Sequence, residues 1–526
     1  MKKLRFSVLF ICLALMCGIC AAGKESGEIY APPQAFSSYT YDYWNNPVEC
    51  PDPYVVVKTL TGVDLGIGDM KKPNDIFADD SGFLYIAVSG DKPEDNRLIK
   101  LDGQLNVIKA WQGYTDSKGA AIPFSDPQGV FVKADGDIYL ADGLSKNIYH
   151  MDKNCVIKRI IGAPVSENSS IIDEKFTERY RPSKLVLDAS ERIHVVAGNV
   201  NEGIVEFVPD GQFEGFLAAG KVNASAIEIL WKKLSTKEQL ERSTDFVPIE
   251  YNNISLDRED FVFASMASID SSVVMREIRS RTGSEQGALV RRLNMLGQDI
   301  LRRKGFGPPV GDLAVDETVD NMDAGYAGIS HIADVACGEN GCYTVIDDNR
   351  CRIFTYDSEG CLLYAFGGPD QTAGGFRSPN SIAQSEEYLY VLDNSTHAVT
   401  MLARTYFGNT VAEAIAAQEN GEYARSMECW QKVLELDGNY DWAYSGIGKA
   451  LYQNGEYREA MKMFKLGNNR TWYSRAFKEY SNAQIARYFA PVCAVLAPVW
   501  ILIAVLLFIS KTWIPKSKRR KGLYKP

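Results

Sequence analysis

Apolar residues along most of this chain come in runs of four to six, too short for helices and punctuated by turn residues. Residues 127 to 162 show the unit. Segments 129–132, 138–141, 147–151 and 156–161 are rich in β-branched and aromatic side chains, which predicts four short strands. Ala134-Asp135-Gly136-Asp137 supplies the reversal between the first two. A four-stranded sheet of this kind cannot bury both faces by itself, so copies must stack around an axis.

Six copies are present. They begin with PNDIFADDSGFLYIAV at Pro73, PQGVFVKADGDIYLAD at Pro127, PSKLVLDASERIHVVA at Pro182, NNISLDREDFVFAS at Asn252, ADVACGENGCYTVID at Ala333 and PNSIAQSEEYLYVLD at Pro379. In the first four the spacing from first to second strand is constant, as Ile76 to Tyr85, Val130 to Tyr139, Leu185 to His194 and Ile254 to Phe263. The sixth copy stops after its third strand, 398–404, while 54–60 (YVVVKTL) is a strand with no neighbour. The N-terminal strand is therefore expected to complete the last sheet and close a ring over 54–407, leaving no open edge at the seam. Two insertions interrupt the pattern. Residues 223–243 predict a helix over the rim, with Ile227, Leu230, Trp231 and Leu234 on one face, and 303–323 reads as a loop.

After Gly408 the period changes. Gly421, Tyr423, Ser426 and Trp430 recur 34 residues later as Gly455, Tyr457, Ala460 and Phe464. Paired helices are expected over 408–487, with Ser426 and Ala460 allowing close approach and Trp430 and Phe464 filling between repeats. Residues 488–510 carry no charge and are long enough to cross a bilayer, with Pro491 and Pro498 expected to kink or delimit the start of the span. The tail 511–526 holds Lys511, Lys516, Lys518, Arg519, Arg520, Lys521 and Lys525 without an acid, which places it on the cytoplasmic side. Residues 1–22 have a basic start, an apolar run and small residues at the end, as an export signal does. Residues 23–53 read as an extended leader. The expected topology is single-pass, with the N-terminal domains extracytoplasmic.

Composition changes little. A net charge of −10 argues against nucleic acid as a partner. Cys337 and Cys342 flank the turn Gly338-Glu339-Asn340-Gly341 and are a disulfide candidate in an exported domain, whereas the four cysteines at 337, 342, 351 and 361 lack the paired C-x2-C spacing of a metal site. Candidate ligand-binding residues are those that lead into each first strand at the channel mouth: Asn74, Asp75, Gln128, Ser183, Asn252, Asn253, Asp334 and Asn380. Such an amide-rich ring can hydrogen-bond a sugar or peptide, or it can cap strand ends around a wet channel. The chain has no nucleophile elbow, P-loop or dinucleotide fingerprint, and no catalytic residue or metal ligand is assigned.

The pattern P-x-x-I/V-x-x-D-x-x-G-x-I-Y-V-x-D followed by R-I-x-x-Y/F-D-x-x-G resembles NHL repeats, most clearly in PQGVFVKADGDIYLAD and RIFTYDSEGCLLYAFGG (352–368). That resemblance implies an all-β six-bladed propeller. The motif N-G-E-Y-x-x-A/S-x-x-x-W/F resembles tetratricopeptide repeats. The longer runs WKKLSTKEQLE, ALVRRLNMLGQDILRR and GIGKALYQNGEYREAMKMFKLGNNR resemble one lineage of bacterial membrane-bound NHL–tetratricopeptide proteins found beside sugar-type ABC transporter components. Both fold types build broad recognition surfaces without dedicated chemistry, so a membrane-anchored binding or scaffold protein without a cofactor is expected, and the lineage points to transport components as its partners. Enzymatic propellers set the alternative: a hydrolase or lyase holding zinc through channel histidines, as peptide-amidating lyases do, or calcium through Asn and Asp, as gluconolactonase-like proteins do. For zinc the chain offers His150, His194, His331 and His397, and for calcium Asn252, Asn380, Asp75 and Asp334.

Overall fold

The computed structural model describes residues 38–165, 172, 175–218, 250–266, 269–280, 287–303, 309–313, 328–369 and 375–513. The expected export signal, the insertion helix at 223–243, most of the loop 303–323 and nearly all of the basic tail lie outside the described residues. The chain divides into two compact units, up to residue 416 and from residue 417.

The first unit is a six-bladed β-propeller. Blades one, two and three are four-stranded antiparallel sheets that start at Lys72–Ala78, Pro127–Val132 and Arg181–Leu187. Blade four shows three strands among the described residues, Tyr251–Leu256, Val262–Met266 and Val290–Leu293. Blade six takes its outer strand from the N-terminal side. Tyr54–Thr61 pairs antiparallel with Ala398–Arg404, from Tyr54 opposite Arg404 to Thr61 opposite Ala398. Stacking of Tyr54 on Phe366 at 4.9 Å ties this closing strand to blade five.

Blade five differs from expectation. Residues Tyr39–Tyr41 and Pro47–Glu49, read from sequence as part of an extended leader, form a hairpin that extends the blade to six strands. Tyr39 is fully buried against the core, and the Tyr41 hydroxyl donates to Asp312 at 2.6 Å. The hairpin thus covers an edge that would otherwise stand open.

Two repeating aspartates explain the motif. The first opens the turn after a strand. Asp79, Asp188 and Asp257 each accept backbone N–H groups two and four residues on, as in Asp79 with Ser81 at 2.9 Å and Phe83 at 2.8 Å. The residue three positions after that Asp then takes a left-handed conformation, supplied by Gly82 in blade one. The second ends the second strand. Asp393, almost wholly buried, accepts from Arg377 and Ser378 with one oxygen and from Ser395 and Thr396 with the other. It binds the following turn to the segment that leads into the blade. Asp142 and Asp347 do the same in blades two and five.

The propeller core is a set of interfaces between blades. One cluster joins Tyr85 and Leu98 of blade one to Leu140 and Tyr149 of blade two, and another joins Ile86 and Ile99 of blade one to Tyr390 and Met401 of blade six. Each blade therefore buries both faces only because it has neighbours, as the lone repeat could not.

The second unit contains helices Tyr423–Leu436, Asp441–Gln453, Tyr457–Leu466 and Arg470–Trp513. Ser426, Trp430, Ala460 and Phe464 are all buried, as the 34-residue period predicts. Glycines make the packing possible: a Cβ on Gly446 would sit inside the Trp430 indole, and one on Gly448 would lie 2.6 Å from the Phe464 ring. Trp472 of the last helix stacks on Phe464 at 5.9 Å and caps the repeats. That helix runs on through Pro491 and Pro498 to Trp513, so the prolines do not delimit it. Its apolar part, among the described residues the one helix long and apolar enough to cross a membrane, is continuous with the cap.

Candidate functional site

All six first strands carry a β-bulge at their second or third residue. The register shifts between Pro73 and Asp75, Pro127 and Gly129, Pro182 and Lys184, Tyr251 and Asn253, Ile332 and Asp334, and Pro379 and Ser381. A bulge adds one residue and re-aims the next side chain. Here it sorts the candidate residues into two tiers.

The upper tier is the bulged residue itself. Asn74 donates to the Pro127 carbonyl of the next blade at 2.7 Å, Asn252 to that of Ile332 at 2.7 Å, and Asn380 to that of Pro73 at 2.7 Å. Each amide therefore fastens one blade to the start of the next. Gln128 donates to Asp126 at 2.8 Å and Ser183 to the Val196 carbonyl at 3.0 Å, both within their own blades. Each of these five side chains donates a bond within the ring, though the Asn380 Oδ1 is left without a partner, and this favours the strand-capping reading of the amides over ligand binding.

The lower tier follows the bulge. Asp75 accepts from the Val130 amide at 2.9 Å, Asp334 from Ile382 at 2.8 Å and Ser381 from Ile76 at 3.2 Å, each bond again crossing to the next blade. Around the axis these groups meet. The Lys184 ammonium pairs with Asp75 and donates to the Asn74 carbonyl at 3.1 Å. The Ser381 hydroxyl lies 3.0 Å from Asp75 and 2.8 Å from Asp334. Gly129 lets the first strands of blades two and three approach closely, since a Cβ there would overlap the Ser183 backbone. Burial pushes the Asp334 carboxyl up to about 6; Lys184 pulls it down and Asp75 raises it further.

Four of the lower tier, Asp75, Lys184, Asn253 and Asp334, form the floor of a cavity of about 1170 Å³. It opens not at the mouth expected from sequence but at the opposite one, among the turns that join first strands to second strands, such as Asp79–Gly82 and Ser385–Tyr388. Of the eight candidates, then, Asp75, Asn253 and Asp334 line the cavity, while Asn74, Gln128, Ser183, Asn252 and Asn380 hold the ring. Lys184 belongs to the floor and Ser381 braces it through Asp75 and Asp334, and neither was among the eight candidates. Their signal was the register itself, since both occupy the position of Asp75 in their own copies.

The histidines do not converge. His150, His194, His331 and His397 each bond a different aspartate, Asp137, Asp188, Asp348 and Asp69, and none lines the cavity. No three His, Cys, Asp or Glu side chains come together as a metal-holding group among the described residues. Cys337 and Cys342 are not joined. Cys337 lies opposite Tyr343 in the ladder and meets Ser255 of blade four, while Cys342 falls in the turn and lines a cleft with Tyr54 and Thr344. The two thiols thus point to different blades, which removes the disulfide expected from their spacing.

In comparisons with known proteins, the TPR repeat family matches residues 419–455. No curated protein matches the chain in sequence. Solved structures with a similar arrangement include virginiamycin B lyase from Staphylococcus aureus (TM-score 0.37, 12% identity, 66% of this chain and 98% of that one). Another is a protein of unknown function from Bacteroides thetaiotaomicron (TM-score 0.38, 11% identity, 70% and 76%). A third is the extracellular domain of a hybrid two-component system from the same organism (TM-score 0.32, 12% identity, 68% and 43%). These likenesses are too distant to bear on activity; the propeller rests on its own strand pairing.

Proposed function

We propose that this chain is a membrane-anchored binding and scaffold protein, with the propeller held outside the membrane and the helical repeats docking a protein partner beside it. The observation that carries this reading is the state of the cavity floor. Its charged groups are paired with one another and with the ring: the Lys184 ammonium lies against Asp75, and the Ser381 hydroxyl bonds both Asp75 and Asp334. A floor of this kind holds a shape and presents surface; it offers no activated nucleophile. The apolar part of the last helix supports anchoring, and the TPR match supports a protein partner, because helical repeats build concave recognition surfaces. The partner we assign is a component of a sugar-type ABC transport system, on the strength of the lineage the sequence resembles.

The test is co-purification from native membranes with full-length protein and with a variant lacking 408–487. One stable partner is expected with the first and none with the second. Equal recovery from both would refute the docking role, and stoichiometric zinc or calcium lost on Asp334→Ala would replace the reading with the enzymatic one.

A further inference from the structure

We infer that the cavity takes a small polar ligand bearing an ammonium group, an amino sugar being the class that fits best. The inference rests on the binding reading above and specifies what is bound.

Charge at the cavity is one-sided. Twelve of the residues lining it are Asp or Glu and four are Lys or Arg. The cations are spent. Lys184 pairs with Asp75, Lys133 with Glu191 at 2.7 Å and Arg258 with Glu339 at 2.8 Å, each an acid of the same lining. Arg404 turns beneath the rim to the Tyr54 hydroxyl and the Glu386 carbonyl.

Most of what remains is on one arc, Asp260 of blade four being engaged by the Ala189 amide instead. The neighbouring turns of blades six and one present Glu386-Glu387 and Asp79-Asp80, and none of the four has a cationic partner among the described residues. Glu386, Glu387 and Asp80 are exposed at the mouth. Half-buried Phe77, Phe131 and Tyr388 line the same cavity, with Phe77 and Phe131 at 5.1 Å from each other and Tyr388 next in sequence to Glu387. Carboxylates next to aromatic faces are the surroundings an ammonium group favours, through charge and through the ring quadrupole.

Across the ring from blade one stands blade four, whose Asn253 is 97% buried in the floor. Its Oδ1 accepts the Ile254 amide at 2.7 Å, while its Nδ2 has no partner. Every lower-tier carboxylate or hydroxyl in the floor has found a mate; this one donor has not. A buried donor without an acceptor costs free energy, and a hydroxyl or carbonyl oxygen of the ligand would supply the acceptor. An ammonium at the acidic arc and an oxygen near Asn253 together describe a hydroxylated amine rather than a neutral sugar or a bare cation.

Isothermal titration of the full-length protein in detergent, with glucosamine, glucose and calcium chloride as probes, tests this. Glucosamine is expected to bind at least tenfold more tightly than glucose, and to weaken as salt is raised from 50 to 300 mM. Glu386→Gln with Glu387→Gln, both exposed and outside the ring's bonds, is expected to lose at least tenfold for glucosamine and nothing for glucose, with thermal stability unchanged. Glucose binding as tightly as glucosamine, no loss in the double variant, calcium displacing glucosamine one for one, or no binding by any probe would each overturn the inference. The scaffold reading would still be judged separately by co-purification, and it alone would fall if bound glucosamine were chemically converted.

Discussion

The ring closes where two segments far apart in sequence share a sheet, and this can be fixed covalently. Thr59 and Thr400 face each other across the seam with their hydroxyls 3.0 Å apart, and 341 residues separate them. Thr344 and Thr355 face each other in blade five with the same 3.0 Å between hydroxyls, separated by only 11 residues. Thr59 is exposed while Thr344 and Thr355 are buried, but with each oxidised variant read against its own reduced form the two sites differ in the loop they close. The chain-entropy relation gives about 6 kcal/mol for the seam and about 3 kcal/mol for the hairpin. The difference of about 3 kcal/mol arises from loop length alone. Spread over roughly 350 residues at about 2.1 cal/mol/K each, it corresponds to roughly 4 °C in unfolding midpoint. Oxidised T59C/T400C should yield the cross-linked peptide by mass spectrometry. Its midpoint should rise relative to the reduced form by about 4 °C more than that of T344C/T355C. If the hairpin pair forms and the seam pair does not, residues 54–61 do not belong to blade six, and the propeller as described is wrong.

Two further outcomes follow from the floor and from the helical unit. The Asp334 carboxyl titrates at about 6 in the folded protein, above its usual range, so the folded state holds a proton that the unfolded state has released. Stability contributed by this group is therefore full below about pH 4, falls as pH rises through 6 and is constant above. Asp334→Asn should remove that fall, so the difference in unfolding midpoint between wild type and variant should swing toward the variant from pH 4 to pH 7.5; a difference independent of pH would refute the assignment. Gly446→Ala places a methyl group inside the Trp430 ring and should cost the helical unit about 1–3 kcal/mol. Helical circular dichroism on melting should show an earlier transition, and an unchanged midpoint would mean that Trp430 does not pack there.

Architecture was legible because each blade repeats the same local chemistry. The turn Asp, the left-handed residue after it and the Asp that ends the second strand all bond backbone within a few residues or to the next segment, so they leave a fixed spacing in the sequence. The hairpin at 39–49 left none: its strands are three residues long, and its partner is more than three hundred residues away at Ala365. The site was legible only in part, for a related reason. Reading along the strand, Asn74 and Asp75 look equally able to face the channel. The bulge between Pro73 and Asp75 separates them, sending the first to the next blade's carbonyl and the second to the axis, and a bulge has no signature in residue type alone. Lys184 escaped because its partner Asp75 belongs to another blade, 109 residues away, so no local spacing in the sequence links the two.

That separation of tiers has a consequence for how such a protein can change. Asp75, Lys184, Asp334 and Ser381 carry bonds between blades, so replacing one leaves a buried charge or an unmet amide and should be felt first as stability. Taking away Lys184 alone would strand Asp75 beside Asp334 in a solvent-poor floor, a loss of about 3 kcal/mol or more. The rim is under no such constraint. Asp80, Glu386 and Glu387 accept no bond that crosses between blades among the described residues, and they stand in solvent at the end of turns whose shape is set by other residues. Ligand choice can therefore drift at the rim while the ring stays intact. For this reason the charge of those turns, and not the amides that begin each blade, is where specificity should be sought.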